Sequence, residues 1–167
     1  FSSSVLPYGY NTCAPTPVEW LHFLDQTFDC EQDQIEALQE IIGYLLTLAT
    51  DLQKIMLIIG PPRSGKGTIG RIIQRLIGPE NIASTTLQTL ATNFGAQSLI
   101  GKQLLLISDV RISKKIPTEV PSEILLQISG EDSITIDRKY KEHWTGTLHT
   151  RIVIMSNEIP RLPDPSG

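Results

Sequence analysis

Ile55-Met56-Leu57-Ile58-Ile59-Gly60-Pro61-Pro62-Arg63-Ser64-Gly65-Lys66-Gly67-Thr68 decides how the rest of the chain is read. Five apolar residues predict a buried strand, and the glycine-bounded G-x-x-x-x-G-K run after them has the form of a loop that cradles phosphates and feeds a helix. Ile69, Ile72, Ile73, Leu76 and Ile77 then recur at helical spacing, with Arg71, Gln74 and Arg75 on the other face, and Gly78-Pro79 ends the pattern. That context gives the loop its chemistry. Gly60 and Gly65 let the backbone bend and turn its N–H groups inward, the helix N-terminus adds partial positive charge, and the Lys66 ammonium can reach β- and γ-phosphates. A nucleoside triphosphate is the expected ligand, bound by Gly60, Pro61, Pro62, Arg63, Ser64, Gly65, Lys66, Gly67 and Thr68. Gly67 stands where a Ser or Thr normally helps hold magnesium, so Thr68 is the expected substitute. The competing reading, a glycine-rich turn with an exposed lysine, does not explain the flanking strand and helix.

The chain has 167 residues, 40% hydrophobic and 19% charged, which suits one α/β domain with a small helical appendage. A net charge of −4 gives no overall basic field, so any nucleic-acid binding must come from local patches. Cys13 and Cys30 are isolated, without metal-ligand spacing, and are expected as free thiols rather than a disulfide or zinc site. With no signal-peptide pattern and no apolar run approaching the ~18 residues of a membrane helix, the expectation is a soluble cytoplasmic protein with no membrane partner. The missing initial Met and the Pro-Gly-rich stretch from Pro160 to Gly167 are read as signs of an excised part of something larger.

Residues 1–15, rich in Ser, Pro, Gly and Asn, read as linker, residues 16–53 as a helical subdomain, and residues 54–167 as the core. Thr16-Pro17-Val18-Glu19 predicts a capping box opening a helix through Trp20, Phe23, Leu24 and Phe28. Asp29 is expected to cap a second helix, with Ile35, Leu38, Ile41, Ile42, Leu45 and Leu46 on its apolar stripe. Trp20, Phe23 and Phe28 read as core of this helical pair, and His22 and His149 as structural. Past the loop helix, the pattern predicts a short strand at 81–84 and a helix from Thr86 to Asn93. A buried strand Leu104-Leu105-Leu106-Ile107 runs into Ser108-Asp109, and a helix spans Glu119 to Ser129, stopped by Gly130. Ile134-Thr135-Ile136, a basic turn and Trp144 to Leu148 suggest a hairpin or extended loop, and a third buried strand, Ile152-Val153-Ile154-Met155, ends at Ser156-Asn157.

Near-continuous apolar strands separated by helices imply a parallel sheet covered on both faces. Ligands of such sheets bind at the carboxyl ends of strands, where Lys66, Asp109 and Asn157 could meet around one γ-phosphate. A rigid strand ending in a carboxylate suits a magnesium ligand, a role that falls to Asp109. Arg138, Lys139, Tyr140 and Lys141, with His143, offer cations and an aromatic ring of the kind single strands favour, or an ordinary solvated turn. Arg111, Lys114 and Lys115 read as a surface loop.

The order of these elements resembles superfamily 3 helicases of the AAA+ class, and more closely the phage and plasmid primase-helicase family. The resemblance spans nearly all of residues 17–167 and rests on LQEIIGYLL, GPPRSGKGT, FGAQSLIGKQLLLISDV, ISGEDSITIDRKYK and IVIMSNEIPRLPDPSG. It implies an α/β P-loop NTPase fold of AAA+ type with flanking helices. It also implies ATP and Mg2+ as cofactors, with Lys66 as nucleotide anchor, Asp109 with Thr68 as metal site, Asn157 as γ-phosphate sensor, and Arg138 to Lys141 as a DNA-binding hairpin. The partners implied are single-stranded or forked DNA and further copies of the chain in a ring, expected to be hexameric, in a bacterial cell carrying a phage, prophage or plasmid.

Two features depart from that family. Asp109 is flanked by Ser108 and Val110 rather than a second carboxylate, which leaves the catalytic base unassigned; Glu131 and Asp132 are close in order but read better as helix-terminal turn residues. An arginine finger would lie beyond Gly167, so the segment alone is expected to hydrolyse ATP feebly. The loop also resembles that of adenylate kinases, leaving a nucleoside-monophosphate-kinase-like phosphotransferase as one alternative and an ATP-dependent DNA-binding switch or loader with little turnover as another.

Overall fold

The computed structural model describes residues 5–108 and 119–159. Asp109, Arg111, Lys114, Lys115 and the stretch from Pro160 to Gly167 lie outside the described residues.

The chain enters through helices α1 (Val18–Thr27) and α2 (Gln32–Leu46), both begun differently from expectation. No capping box forms at α1: Pro17 is the N-cap without a side-chain bond, and the Val18 N–H donates to the Thr16 carbonyl at 2.9 Å. Asp29 closes α1 instead of opening α2. It sits in the left-handed region at φ 50°, and the Cys30 N–H returns to the Asp25 carbonyl at 2.9 Å. This is the geometry that satisfies the last carbonyls of a helix, and aspartate tolerates it better than most residues. Glu31 becomes the N-cap of α2.

Strand β1 (Ile55–Ile59), the loop and α3 (Lys66–Ile77) follow as the sequence predicts, with Gly78 at φ +89° donating to the Gln74 carbonyl at 3.0 Å. The short strand β2 (Ile82–Thr85) lies one residue later than expected. Thr86 caps α4 (Leu87–Leu90), whose four residues replace the longer helix predicted there. The Thr92 hydroxyl donates to the Thr89 carbonyl and the Gly95 N–H to the Thr92 carbonyl, so the chain turns early into a 3₁₀ segment at Gly95–Leu99. Strand β3 (Leu104–Ser108), α5 (Glu119–Ser129), the hairpin strands β4 (Ser133–Arg138) and β5 (Lys141–Thr147), and β6 (Arg151–Ser156) complete the described elements.

Among the described residues the main sheet has the order β1-β6-β3-β2, all parallel, with β4-β5 as a separate antiparallel ribbon. Side chains alternate between its faces, and both faces are covered. Leu104, Leu106, Val153 and Met155 pack with Ile69, Ile73 and Ile77 of α3 and with Leu24, Ile35, Leu38 and Leu45 of the first two helices. Leu105, Ile107, Ile152 and Ile154 pack with Leu125 and Ile128 of α5, Leu90, Leu99, and Ile134 and Ile136 of the hairpin. Double-sided burial is why these strands read as unbroken aliphatic runs. Gly70 allows α3 to approach β6, since a Cβ there would stand 2.7 Å from the Met155 Cε. Residues near the start are tied down too, through the Asn81 Nδ2–H donating to the Val5 carbonyl at 3.1 Å.

The two faces predict a graded response to truncation. Leu105, wholly buried, should lose about 2–5 kcal/mol on replacement by alanine. Leu57, 41% exposed on the edge strand, should lose well under half of that. Urea unfolding of Leu105→Ala and Leu57→Ala checks the ranking; equal losses would contradict the burial pattern.

Candidate functional site

The 60–68 loop leaves β1 beside the end of β6, with the Gly60 N–H donating to the Ser156 carbonyl at 3.2 Å. Gly65 is the N-cap of α3 at φ +86°, and its carbonyl accepts from the N–H groups of Thr68 at 2.8 Å and Ile69 at 3.1 Å. A side chain at Gly65 would be strained by that dihedral and would bring its Cβ 2.9 Å from the Phe23 Cζ, so α1 seats directly on the loop. Arg63, at φ +66°, takes the same left-handed region without being glycine. Such strain, on the order of 1 kcal/mol or more, clusters where backbone is shaped for a ligand.

Lys66 curls over the loop. Its Nζ donates to the Gly60 carbonyl at 2.6 Å, the Pro61 carbonyl at 2.7 Å and the Ser64 Oγ at 3.2 Å. All three ammonium protons thus point at oxygens of the loop itself, and the charge stands half-buried at its centre. Thr68 Oγ1 accepts from the Arg71 Nη2 at 3.0 Å.

Parallel pairing brings the other strand ends alongside. Ile59 is in register with Ser156 and Ser108 with Met155. Lys66, Gly67, Ser108, Met155, Ser156 and Asn157 line one cavity of ≈ 190 Å³. Of the three strand-end groups picked from sequence, Lys66 and Asn157 therefore share a cavity; Asp109 follows the lining residue Ser108 in the chain but lies outside the described residues. Glu131 stands elsewhere: it occupies the left-handed turn after α5 at φ 60°, and its Oε1 accepts from the Thr50 hydroxyl ahead of β1. Asp132 closes the same turn, its N–H donating to the Gln127 carbonyl at 2.9 Å. Both are helix-terminal residues, and Glu131 rather than Gly130 supplies the left-handed step.

The basic turn is the tip of a true hairpin, where Arg138 pairs with Lys141 across Lys139 and Tyr140. Tyr140 is 93% exposed at φ 60°, and the Lys139 Nζ lies 5.2 Å from its ring centroid. The Lys139 N–H donates to the Gln97 Oε1 at 2.9 Å, and the Arg138 Nε to the Glu142 carbonyl at 2.8 Å, which pins the tip at two points.

Sequence reasoning missed the flank of the loop that faces α1. Phe23, Gln26, Thr27, Arg63 and Arg71 line a second cavity of ≈ 640 Å³ there, with Ser64, Gly65, Gly67 and Thr68. Phe23, read as helical core, is half-buried and faces this opening. Arg71 carried a usable signal, since it stands one helical turn beyond Gly67 and its polar face follows from the periodicity. Phe23 carried none, because its approach to Gly65 joins residues far apart in sequence. No group of three or more His, Cys, Asp or Glu that could hold a metal occurs among the described residues, and no helix there is long and apolar enough to cross a membrane.

Residues 58–167 match the family of unknown function DUF5906. The chain belongs to that family. Its fold is similar to the apo structure of the NrS-1 C-terminal region (TM-score 0.69, 20% identity, covering 92% of this chain and 37% of that one). It is also similar to the A form of the same region (0.68, 18%, 92% and 36%). A JCV helicase solved with an N-(4-(2-(thiazolo[5,4-c]pyridin-2-yl)phenoxy)phenyl)acetamide bound aligns at TM-score 0.50 and 18% identity, over 87% of this chain and 52% of that one. The chain spans little more than a third of the NrS-1 chains it matches. Like those neighbours, it is an α/β fold with a parallel sheet and flanking helices.

Contact between Gly65 and Phe23 is open to a double-mutant cycle. Gly65→Ala should destabilise by about 1–3 kcal/mol from the left-handed dihedral and the clash, while Phe23→Ala beside it should return part of that loss. Thermal melting of the two single variants and the pair measures the coupling; strict additivity would mean that the ring and the loop do not touch.

Proposed function

We propose that this chain is the ATP-hydrolysing core of a DNA helicase motor, a P-loop NTPase of AAA+ type within a phage or plasmid-type primase-helicase. The observation that carries the reading is the shared cavity of Lys66, Ser108 and Asn157 at the carboxyl ends of three adjacent parallel strands. An ammonium, a helix N-terminus and an amide converge where a terminal phosphate would sit. In this reading Lys66 exchanges the loop oxygens it now contacts for β- and γ-phosphate oxygens, at little reorganisation beyond a swing of its Nζ. Gly65 and Gly67 keep side chains away from the path of the phosphates. Asn157 donates its amide to the γ-phosphate and senses whether it is present.

As hard-oxygen donors for a magnesium ion this reading takes the Thr68 hydroxyl, now occupied by Arg71 and lining the ≈ 640 Å³ cavity, and the Asp109 carboxylate following Ser108 in the chain. Bound there, Mg2+ would neutralise phosphate charge during hydrolysis. Arg138, Lys139, Tyr140 and Lys141 would grip one DNA strand, cations on phosphates and the Tyr140 ring on a base. Assembly into a ring, taken to be hexameric, would set several such hairpins around single-stranded or forked DNA in the cytoplasm of a bacterial host.

A second reading keeps the sites and drops the turnover. Among the described lining residues of the ≈ 190 Å³ cavity none is a carboxylate able to polarise an attacking water. An ATP-dependent DNA-binding switch or loader would need none.

Lys66→Ala should remove ATP binding while leaving affinity for single-stranded DNA within about threefold. Lys139→Ala combined with Tyr140→Ala should weaken single-strand binding about tenfold or more, from one lost stack and one lost phosphate contact, and leave ATP affinity intact. Fluorescence titrations of both ligands separate the two roles, and joint loss of both in either variant would contradict them. Strand displacement on forked DNA by the complete protein distinguishes motor from switch.

A further inference from the structure

The loop is open on two sides, and only one has been given an occupant. Gly67 lines both cavities: the ≈ 190 Å³ one with Lys66 and Asn157, and the ≈ 640 Å³ one between the loop and α1. A phosphate chain with its terminal group beside Lys66, crossing the bare backbone at Gly67, would deliver whatever it carries into the larger opening. That space falls in the range of small-molecule sites and far exceeds what a phosphate needs.

Its lining suits a nucleobase. Phe23 is held as a fixed platform, stacked on Trp20 with ring centroids 5.5 Å apart at 22° and seated by its Cζ against Gly65. Gln26 lies three residues on, on the same face of α1. Its Nε2 lies 2.9 Å from the His22 Nε2, which engages the amide nitrogen and leaves the amide oxygen without a hydrogen-bond partner among the described residues. Arg63 and Arg71 stand along the same wall, beside Thr68, as cations for the phosphate nearest the sugar.

We propose that this cavity is the nucleoside subsite, in which Phe23 stacks the base and Gln26 selects adenine. An amide oxygen there accepts from the exocyclic amino group of adenine, whereas guanine presents a carbonyl at the same place and the two acceptors repel. The assignment rests on the triphosphate reading of the loop but adds to it, because it gives the base specificity to a helix whose Phe23 stands 42 residues before Gly65 and to side chains that the phosphate chemistry does not need.

Calorimetric titration of the full chain with ATP, GTP and inorganic tripolyphosphate, each with Mg2+, tests it. The unaltered protein should bind ATP about tenfold or more tighter than tripolyphosphate, and tighter than GTP. Phe23→Leu should weaken ATP about tenfold and leave tripolyphosphate unchanged, since the aliphatic side chain still covers Gly65. Gln26→Leu should bring ATP and GTP to the same affinity. Equal weakening of ATP and tripolyphosphate in Phe23→Leu would reduce the ring to loop packing and overturn the subsite. So would ATP binding no better than GTP or tripolyphosphate in the unaltered protein, with the triphosphate reading left standing provided Lys66→Ala abolishes binding of all three. Failure of the unaltered protein to bind ATP and tripolyphosphate at all would overturn both.

Discussion

Register between β1, β6 and β3 is the constraint on which the rest depends. Ile59 opposite Ser156 and Met155 opposite Ser108 bring three strands to their carboxyl ends within about one residue of each other. At roughly 4.8 Å between neighbouring strands, the outer two of the three ends are separated by only about 10 Å. Slipping β6 by one residue would turn Ile152 and Ile154 toward α3, and Val153 and Met155 toward α5 and the hairpin. Both hydrophobic layers would be wrong at once, so burial on two faces fixes the alignment that gathers Lys66 and Asn157.

Burial at the opposite end of the sheet is less comfortable. Arg151 opens β6 and is only 3% exposed, its Nε donating to the Gln103 carbonyl at 3.3 Å and its Nη1 to the Tyr44 carbonyl at 3.4 Å, while Nη2 has no partner among the described residues. Desolvation pushes its pKa below the ordinary arginine value. An arginine so placed is still charged, and Tyr44 lies in the last turn of α2, where the helix dipole favours a cation. The side chain thus joins the end of α2 to β3 and β6, and the desolvation it suffers is offset by long hydrogen bonds and the dipole rather than by a counter-ion among the described residues. The sheet is pinned at its base by a polar contact and closed at its top by the loop.

Most of the architecture could be read from the chain because the strands are buried on both faces and the loop has a fixed glycine spacing. Three strands and α3 are visible as aliphatic runs and a 3.6-residue stripe. Boundaries were less legible at Asp29, a left-handed residue that is not glycine: it finishes α1, although its side chain reads as a cap for the next helix. Thr16 and Glu19 have the spacing of a capping box, yet Pro17 takes the cap and no side-chain bond forms. The early end of α4 was obscured because the turn after it depends on close approach of Gly95 to the Thr89 and Leu90 carbonyls, within 2.0 Å and 2.8 Å of where a Cβ would stand. The half of the site made by α1 was invisible for the same reason: contact across forty residues of sequence leaves no local pattern.

The hairpin and the nucleotide end share one packed layer, which bears on how hydrolysis could move DNA in the proposed motor. Ile134 and Ile136 of β4 lie in the same cluster as Ile152 and Ile154 of β6, the strand that leads into Asn157. Gln97, in the 3₁₀ segment whose Leu99 belongs to that cluster, holds the backbone of Lys139. Continuous packing is a path for force but not by itself a coupling, which needs an element with two arrangements that both sites bias. In the proposed motor Lys66 would be such an element, with its ammonium on the oxygens of its own loop in one arrangement and on a bound triphosphate in the other. Since the loop is tied to β6 through Gly60 and Ser156, its rearrangement would act first on the strand that carries Asn157 and only then, through Ile152 and Ile154, on the hairpin. In that motor Asn157 would therefore stand between the two events, which is where a group proposed to report the γ-phosphate to the hairpin tip has to be.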